Sequence, residues 1–269
     1  MERFVSPLLT LFAGLRGRAS PTLARPEWHA HFDAKGVRGT FVVYEPANDR
    51  YLVCNEARAA QRFLPASTFE IANALIGLEV GSIGDENEVF GWDRRPKARP
   101  AWERDHTLAT AMRESVAWMF QEVARRTGRE RMQEGLDRLQ YGNRDLKGGI
   151  EHFWLQGALR VSAREQVDLL RRLAEGSLAM TQRSQRLVRE ALVLERTRAH
   201  TLYAKSGASG TGRSAVWWWV GWIERKGRLA AVFAMNFAPG AATRAADRLE
   251  IGRALLAESG ALRAVQMSA

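Results

Sequence analysis

Ser67 has the position of a nucleophile in this sequence. It comes shortly before an apolar segment, residues 71–80, whose composition predicts a buried helix. The N-terminus of a helix offers unpaired N–H donors and positive potential, which favour a reactive hydroxyl there. A serine that only caps a helix would occupy the same place, so the surrounding pattern has to decide. Glu70 and Lys205 are the charged residues that could move a proton or hold an anion beside it.

Four short motifs occur along the chain in a defined order. They are Ser67-Thr68-Phe69-Glu70, Ser115-Val116-Ala117, Tyr141-Gly142-Asn143 and Lys205-Ser206-Gly207. This order resembles that of the penicillin-recognising serine enzymes, in which Ser-x-x-Lys is followed by a serine-containing turn and a Lys-(Thr or Ser)-Gly strand. Tyr-Gly-Asn in third place, with Phe-Trp-Leu-x-Gly at residues 153–157, is typical of the class D β-lactamases, the oxacillinase family. The resemblance runs from about residue 36 to residue 260.

The resemblance implies a role for each matching polar residue. Ser67 would attack the lactam carbonyl and become acylated, while Ser115 would shuttle protons and hydrogen-bond the substrate. Lys205 would place positive potential beside the nucleophile and the substrate carboxylate, with Ser206 adding a hydroxyl. The backbone N–H groups of Ser67 and Ala208 would form an oxyanion hole, which needs donors but no particular side chain.

Further residues are expected to bind the substrate or to shape the cleft. The substrate-binding set comprises Tyr141, Asn143, Ser206, Gly207, Ala208 and Arg248, and the pocket set comprises Ala117, Trp154 and Leu155. Arg248 matches a carboxylate-binding arginine of the family, although an ordinary surface arginine fits a chain this rich in arginine nearly as well. The four tryptophans within residues 217–222 favour packing in a sheet over stacking on a substrate.

Position 70 departs from the family pattern. There the motif ends in a lysine whose amine becomes carboxylated, and the carbamate acts as the base for both the serine and the hydrolytic water. Glu70 cannot be carboxylated, but it ends in a carboxylate of the same charge. Its side chain is about three bonds shorter, which withdraws the oxygens by roughly 3–4 Å. We therefore expect any contact with Ser67 to be relayed by water, in space left by Ala117 where the family has a β-branched residue.

Three interpretations of Glu70 follow. The first is a β-lactamase with weak turnover. The second is a penicillin-binding, sensor-like protein that is acylated slowly and barely deacylated. The third is an introduced or accidental change, since lysine and glutamate codons differ by one base. Restoring the lysine and adding bicarbonate discriminates among them, because hydrolysis would rise in a damaged enzyme and would not rise in a divergent binder.

The predicted elements follow the order β, α, β, α. Strands are predicted at residues 39–44, 51–54, 200–204, 217–223 and 229–237, and helical periodicity prevails at residues 108–172 with a turn at 141–143. Ser162 and Glu165 form a capping box that begins one helix, and residues 245–258 form a closing helix. This order predicts an α+β fold of the three-layer α/β/α type. Its antiparallel sheet would be built from the N- and C-terminal segments, with a largely helical middle lobe, as in serine β-lactamases and transpeptidases.

A single domain is expected over residues 25–269. Its sheet lobe would comprise about residues 25–65 and 195–269, and its helical lobe about residues 66–194. Residues 4–15 have the length of a signal-peptide core, so residues 1–24 are set aside as a possible signal peptide with cleavage near residues 22–24. A mature amphipathic segment is the alternative. We expect a periplasmic or secreted protein, a monomer or homodimer without membrane attachment in its mature form.

Composition argues against several other classes of function. The formal net charge is +10, but a nucleic-acid-binding module would carry a helix-turn-helix, zinc or RNA-binding motif, and the sequence has none. Nucleic acid is therefore not an expected partner. Cys54 is the single cysteine and the five histidines lack ligand spacing, so neither an internal disulfide nor a metal site is predicted. No cofactor is expected, and β-lactams are the small-molecule partners that the resemblance implies.

Overall fold

One sheet organises the chain. The structure, a computed structural model, describes residues 20–210 and 212–262. The strands in those ranges are β1 Thr22–Ala24, β2 Arg38–Glu45, β3 Arg50–Cys54, β4 Val193–Arg196, β5 Thr201–Ser209, β6 Val216–Arg225 and β7 Arg228–Ala238. They pair in the order β1-β3-β2-β7-β6-β5-β4, with β1 parallel to β3 and the other pairings antiparallel. The N- and C-terminal parts of the chain therefore share one sheet, which confirms the predicted arrangement.

The middle of the sheet is buried on both faces. β6 pairs with β5 on one side and with β7 on the other. Trp218 and Trp222 pack into the core on one face and Trp219 into the core on the other, because successive side chains of a strand alternate. All three tryptophans are at most 1% exposed. The predicted packing role is confirmed for them, whereas Trp217 is only partly buried.

Helices cover both faces of the sheet. In the described ranges they are α1 His29–Asp33, α2 Glu56–Ala60, α3 Glu70–Glu79, α4 Leu108–Glu114, α5 Ala117–Thr127, α6 Arg129–Leu139, α7 Ala163–Ala174, α8 Gln182–Ala191 and α9 Asp247–Glu258. α1 and α9 pack on one face through residues such as Phe32 and Leu255. The helices from α2 to α8 pack on the other face, so the predicted three-layer fold is confirmed. No helix in residues 20–210 and 212–262 is long and apolar enough to cross a membrane.

The helical lobe is interrupted for longer than the periodicity predicts. Residues 140–162 contain no helix, where the sequence predicts only a turn at residues 141–143. Asn143 holds this stretch together, because its side chain donates to the Ala158 carbonyl at 2.9 Å and accepts from the Arg160 N–H at 2.8 Å. The helical pattern resumes at α7, which begins with the predicted capping box of Ser162 and Glu165.

The sheet begins earlier than the sequence suggests. Residues 22–24 fall in the possible signal peptide, but they form β1 and pair with residues 51–53 of β3. All three β1 side chains are exposed, so this edge strand lacks the alternating pattern that would reveal it. The predicted signal-peptide core at residues 4–15 lies outside the described residues.

Cys54 lies inside the sheet. It is the last residue of β3 and faces Phe41 of β2 in the strand register. The side chain is fully buried. Burial raises the pKa of the Cys54 thiol to about 12, so the reactive thiolate is scarce in the folded chain.

Candidate active site

Ser67 lies in a tight turn whose backbone is held from several sides. The turn is a 3-10 helix, Ala66–Phe69, that leads directly into α3. Ala66 has a left-handed backbone with φ of 49°, and its N–H donates to the Trp154 carbonyl at 3.1 Å. The buried Thr68 hydroxyl donates to the Pro65 carbonyl at 2.7 Å. Ser67 itself stays partly exposed, so the predicted nucleophile remains accessible at the start of a buried helix.

β5 runs close to the Ser67 turn because it has a glycine at the point of contact. A Cβ atom on Gly207 would lie 3.0 Å from the Pro65 carbonyl oxygen and 3.1 Å from the Thr68 nitrogen. The structure thus gives Gly207, predicted to bind substrate, a packing role that brings two backbones together. Ala208 follows and is exposed. Its N–H group and that of Ser67 stay the predicted oxyanion hole.

Glu70 and Lys205 form a buried ion pair. The Lys205 Nζ lies 3.1 Å from the Glu70 Oε2, and the two side chains are only 3% and 1% exposed. The same Nζ donates to the Ser115 hydroxyl and, at 3.0 Å, to the Ser206 carbonyl. Lys205 therefore links Glu70, which occupies the lysine position of the motif, to Ser115. The sequence predicts both residues as part of the site but does not predict that they pair directly.

Burial drives both members of this pair toward their neutral forms. It raises the pKa of Glu70, against the opposing effects of the Lys205 charge and of the Ser67 hydroxyl. It also lowers the pKa of Lys205, against the opposing charge of Glu70. The proton can consequently reside on the carboxylate as well as on the amine, and the amine has proton-accepting capacity.

Ser115 is placed by a sharp turn between α4 and α5. Its backbone is left-handed, with φ of 51°, and its N–H caps α4 by donating to the Ala111 carbonyl. Ala117 begins α5 two residues later and is partly buried. Glu70 forms an ion pair with Lys205, and the water expected between Glu70 and Ser67 in the space left by Ala117 stays a prediction. Glu70 nevertheless stays buried, as the proposed accommodation within the pocket requires.

Trp154 and Leu155 support the turn from beneath. The ring of Trp154 lies 5.3 Å from that of Phe69, and its carbonyl holds Ala66 as described above. Leu155 packs against the same apolar core and is partly exposed. Trp154 is only 1% exposed. Trp154 therefore lies against the Ser67 turn, and the pocket role of both residues stays a prediction.

Tyr141 and Asn143 do not line the cavity beside Lys205, and their roles in binding the substrate stay predictions. Tyr141 is 2% exposed and meets the Phe69 ring edge-on at 5.4 Å. Burial raises the pKa of its hydroxyl. The Asn143 side chain is occupied by the backbone of residues 158–160. Tyr141 packs behind the Ser67 turn, and Asn143 holds the backbone of residues 158–160. A linear motif cannot distinguish such packing residues from residues that line the cleft.

A cavity of about 300 Å³ opens beside Lys205, Ser206 and Arg248, with Arg113 also in its wall. The Arg248 guanidinium donates to the Gly207 carbonyl at 3.1 Å and lies 5.3 Å from the Trp217 ring. The charged side chains that line this cavity are cations, which suits an anionic group. Within residues 20–210 and 212–262, no three His, Cys, Asp or Glu side chains come together as a metal site.

Arg99 is a site residue that sequence reasoning does not single out. After burial, which has the largest effect on the pKa of Glu70, Lys205 and Arg248, the Arg99 charge lowers the pKa of all three. Arginine is so common in this chain that residue type gives no signal at position 99. Arg99 can be identified only in the folded structure, where its loop packs next to the segments that flank Ser115.

Comparison with known families agrees with this geometry. The family model described as the penicillin binding protein transpeptidase domain matches residues 39–257. The chain is 40% identical over 239 residues to β-lactamase OXA-19 of Pseudomonas aeruginosa, covering 88% of this chain and 90% of that protein. It is 39% identical over 229 residues to β-lactamase OXA-48 of Klebsiella pneumoniae, covering 85% and 86%.

Solved structures show the same relationship. The class D β-lactamase FUS-1 (OXA-85) of Fusobacterium nucleatum subsp. polymorphum superposes with a TM-score of 0.85 at 34% identity. The match covers 90% of this chain and 100% of that one. The penicillin-recognising fold and the serine-centred site thus define the class of protein. The chain belongs to the class D β-lactamase family.

Proposed function

We propose that this protein reacts with β-lactams through an acyl-enzyme on Ser67 and hydrolyses them with slow deacylation. The observation that carries the proposal is the buried Glu70–Lys205 pair, which contacts Ser115 beside the accessible Ser67. It supplies a proton acceptor for the first step but leaves no free carboxylate for the second. The names of the relatives support β-lactams as the substrate class.

Acylation can use Lys205 in place of the family's carbamate. The Ser67 oxygen attacks the lactam carbonyl carbon, the carbon–nitrogen bond breaks, and the Ser67 proton passes through Ser115 and Lys205 to the lactam nitrogen. Burial lowers the pKa of Lys205, so the neutral amine that accepts this proton is more populated than at a surface lysine. Arg248 and the Ser206 hydroxyl, which line the adjoining cavity, would hold the substrate carboxylate.

Deacylation lacks an equivalent base. Water must attack the Ser67 ester carbon, lose a proton, and return a proton to the departing Ser67 oxygen. Glu70 is the nearest carboxylate in the site, but burial raises its pKa and its charge is compensated by Lys205. A protonated or paired carboxylate is a poor acceptor for the water proton. The acyl-enzyme should therefore accumulate, and the alternative of a penicillin-binding, sensor-like protein is the limit in which deacylation stops.

A periplasmic or secreted location completes this proposal. The support is the apolar composition of residues 4–15, which has the length of a signal-peptide core. Export would bring Ser67 to the compartment that β-lactams enter first. Monomer and homodimer are both compatible with this activity.

The experiment that tests the proposal is intact-protein mass spectrometry after mixing with benzylpenicillin, sampled from seconds to hours, with free product assayed in parallel. We expect a persistent adduct with little product, and no adduct in the Ser67→Ala variant. Steady product without an adduct would contradict slow deacylation. Neither adduct nor product would contradict the whole proposal.

The Glu70→Lys variant separates a damaged enzyme from a divergent binder. With bicarbonate present to carboxylate the new lysine, we expect turnover to rise by about 10² or more, the usual contribution of a positioned general base. The same variant without bicarbonate serves as its control. Unchanged turnover in both conditions would favour the binder, whose other pocket residues no longer support deacylation.

A further inference from the structure

The Arg99 side chain packs on the aromatic ring of Trp102, three residues further along the chain. Arg99 immediately precedes the short 3-10 helix Pro100–Trp102. The Arg99 guanidinium carbon lies 5.4 Å from the centre of the Trp102 ring, a distance at which a cation is attracted to the ring face. Arg99 is exposed, whereas Trp102 is partly buried against the core of the helical lobe. The guanidinium therefore rests on a fixed platform and faces solvent.

Trp102 is hydrogen-bonded to residues on both sides of Ser115. The Trp102 indole N–H donates to the Glu114 carbonyl at 3.0 Å, and the Trp118 indole N–H donates to the Trp102 carbonyl at 3.0 Å. Glu114 and Trp118 flank the turn that carries Ser115. Arg99 is consequently anchored, through Trp102, to the two segments that flank Ser115, although it belongs to a long surface loop.

Arg99 has a charge that the described part of the chain does not neutralise. No carboxylate among residues 20–210 and 212–262 forms an ion pair with it, and its side chain donates no hydrogen bond to those residues. Its charge opposes those of Lys205 and Arg248, which lowers the pKa of both groups. Burial is the largest cause that lowers both pKa values, and the Glu70 charge raises that of Lys205. The site therefore has more positive charge than a substrate with a single carboxylate can balance.

We propose that Arg99 binds a second anionic group, carried on the side chain of the β-lactam, and that the cleft prefers dianionic over monoanionic β-lactams. This inference rests on the proposed function, since it concerns the substrate class of that same site. The carboxylate of the bicyclic nucleus goes to Ser206 and Arg248, and the second anion goes to Arg99. A guanidinium suits this role because its fork of N–H donors matches a carboxylate in two parallel hydrogen bonds.

Two penicillins form a matched pair for the test. Benzylpenicillin and its α-carboxy derivative, carbenicillin, share the bicyclic nucleus and the phenyl ring and differ by one side-chain carboxylate. Dissociation constants are measured by calorimetry in the Ser67→Ala variant, which cannot form the acyl-enzyme. This separates affinity from chemistry. We expect carbenicillin to bind about fivefold more tightly, the modest gain of an exposed ion pair, and the preference to shrink at high salt.

Arg99→Gln in the Ser67→Ala background should reduce the preference to about onefold while leaving benzylpenicillin affinity nearly unchanged. Arg99→Lys should keep part of it, since the charge remains but the fork is lost. The control is Arg94→Gln, because Arg94 lies 5.4 Å from the ring of Trp92 in the same loop but is not among the charges acting on Lys205 or Arg248. The control variant should retain the full preference.

The outcomes distinguish this inference from the proposed function. Equal affinity for the two penicillins, or a preference that survives Arg99→Gln, overturns the role of Arg99. A preference that depends on Arg99, found in a chain whose Ser67 forms no adduct, supports the inference and overturns the proposed chemistry. If neither penicillin binds to the Ser67→Ala variant, both are overturned.

Discussion

Two lysine–carboxylate pairs on opposite faces of the sheet have the same separation and opposite electrostatics. Lys35 lies 3.1 Å from Asp247 on the α1–α9 face, and Lys205 lies 3.1 Å from Glu70 on the helical-lobe face. Hydrogen bonds with Glu250 and Asp247 raise the pKa of Lys35, and the pKa of Asp247 falls to about 2. Burial lowers the pKa of Lys205 and raises that of Glu70.

Exposure to solvent, rather than distance, explains why the pKa shifts of the two pairs have opposite directions. The Lys35 side chain is 28% exposed and has a second acid, Glu250, at 2.5 Å, so its charge stays hydrated and doubly compensated. Asp247 also accepts the Arg244 N–H at 2.7 Å. The side chains of the Glu70–Lys205 pair are almost fully buried, so the cost of desolvating two charges competes with their attraction. A pair of this kind is weak as a stabilising element and suited to moving a proton.

Removing the lysine from each pair should give the largest contrast. Lys205→Met leaves Glu70 buried without its partner, and we expect the free energy of unfolding to fall by about 3–5 kcal/mol at pH 8. The Glu70 pKa would rise further above its unfolded value, so the folded state binds the extra proton and the loss becomes smaller at pH 5. Urea unfolding at the two pH values measures this.

Lys35→Met is the matched control for that variant. Lys35→Met should lower the free energy of unfolding by only a small fraction of the loss in Lys205→Met, because exposed ion pairs contribute little. Equal losses in the two variants would show that burial does not distinguish the pairs.

Replacing the whole buried pair should restore stability while abolishing chemistry. In Glu70→Leu/Lys205→Met, no charge is left without a partner, and apolar side chains of similar volume fill the space. We expect stability within about 1 kcal/mol of the unmodified chain or above it, as is common when buried ion pairs are replaced. The double variant should form no adduct with benzylpenicillin. Stability as low as that of Lys205→Met alone would mean that the pair is a net stabiliser.

Glu70→Gln should move the pH dependence of acylation. The Glu70 charge raises the pKa of Lys205, so removing it lowers that pKa further. If Lys205 accepts the Ser67 proton, acylation falls at low pH as Lys205 becomes protonated, and this limb shifts to lower pH by about one unit or more. The initial rate of adduct formation, measured across the acidic range, gives the midpoint. A limb that does not move in Glu70→Gln would assign the proton to a group other than Lys205, and Glu250→Gln, beside Lys35, should leave it in place.

Asp247→Asn should have the smallest effect, and it should depend on pH in the opposite sense. The Asp247 pKa is about 2 in the folded chain against an ordinary value of 3.8. Its stabilisation is therefore fully present above pH 3.8 and is lost as the pH falls through about 2. We expect a slightly lower Tm for the variant at pH 7 and a difference that closes near pH 2. A gap that persists at pH 2 would mean that geometry at the start of α9, rather than charge, is responsible.

The sequence is most informative where the signal is local. The β2, β6 and β7 strands coincide with apolar runs, and the Ser162–Glu165 capping box begins α7 as predicted. The motif serines and Lys205 also come together, because their order along the chain reflects a shared fold. The short edge strand β1 is missed, since exposed side chains give no alternation.

The remaining features of the site depend on three-dimensional contacts. Tyr141 belongs to a motif beside the cleft, but its ring turns into the core against Phe69. The direct Glu70–Lys205 contact follows from how closely β5 approaches α3, which Gly207 permits and no spacing rule gives. Arg99 is one of 35 arginines, and only the anchoring of Trp102 beside Ser115 distinguishes it.

The buried thiol of Cys54 offers a way to measure how often the sheet opens. A thiol with a pKa of about 12 reacts with a disulfide reagent only when β2 and β3 separate, so its labelling rate reports how often the sheet opens. Cys54 packs on the face of the sheet opposite to the Glu70–Lys205 pair. Faster labelling in Lys205→Met would show that both faces open as one cooperative unit, and an unchanged rate would show that the helical lobe opens alone while the sheet stays closed.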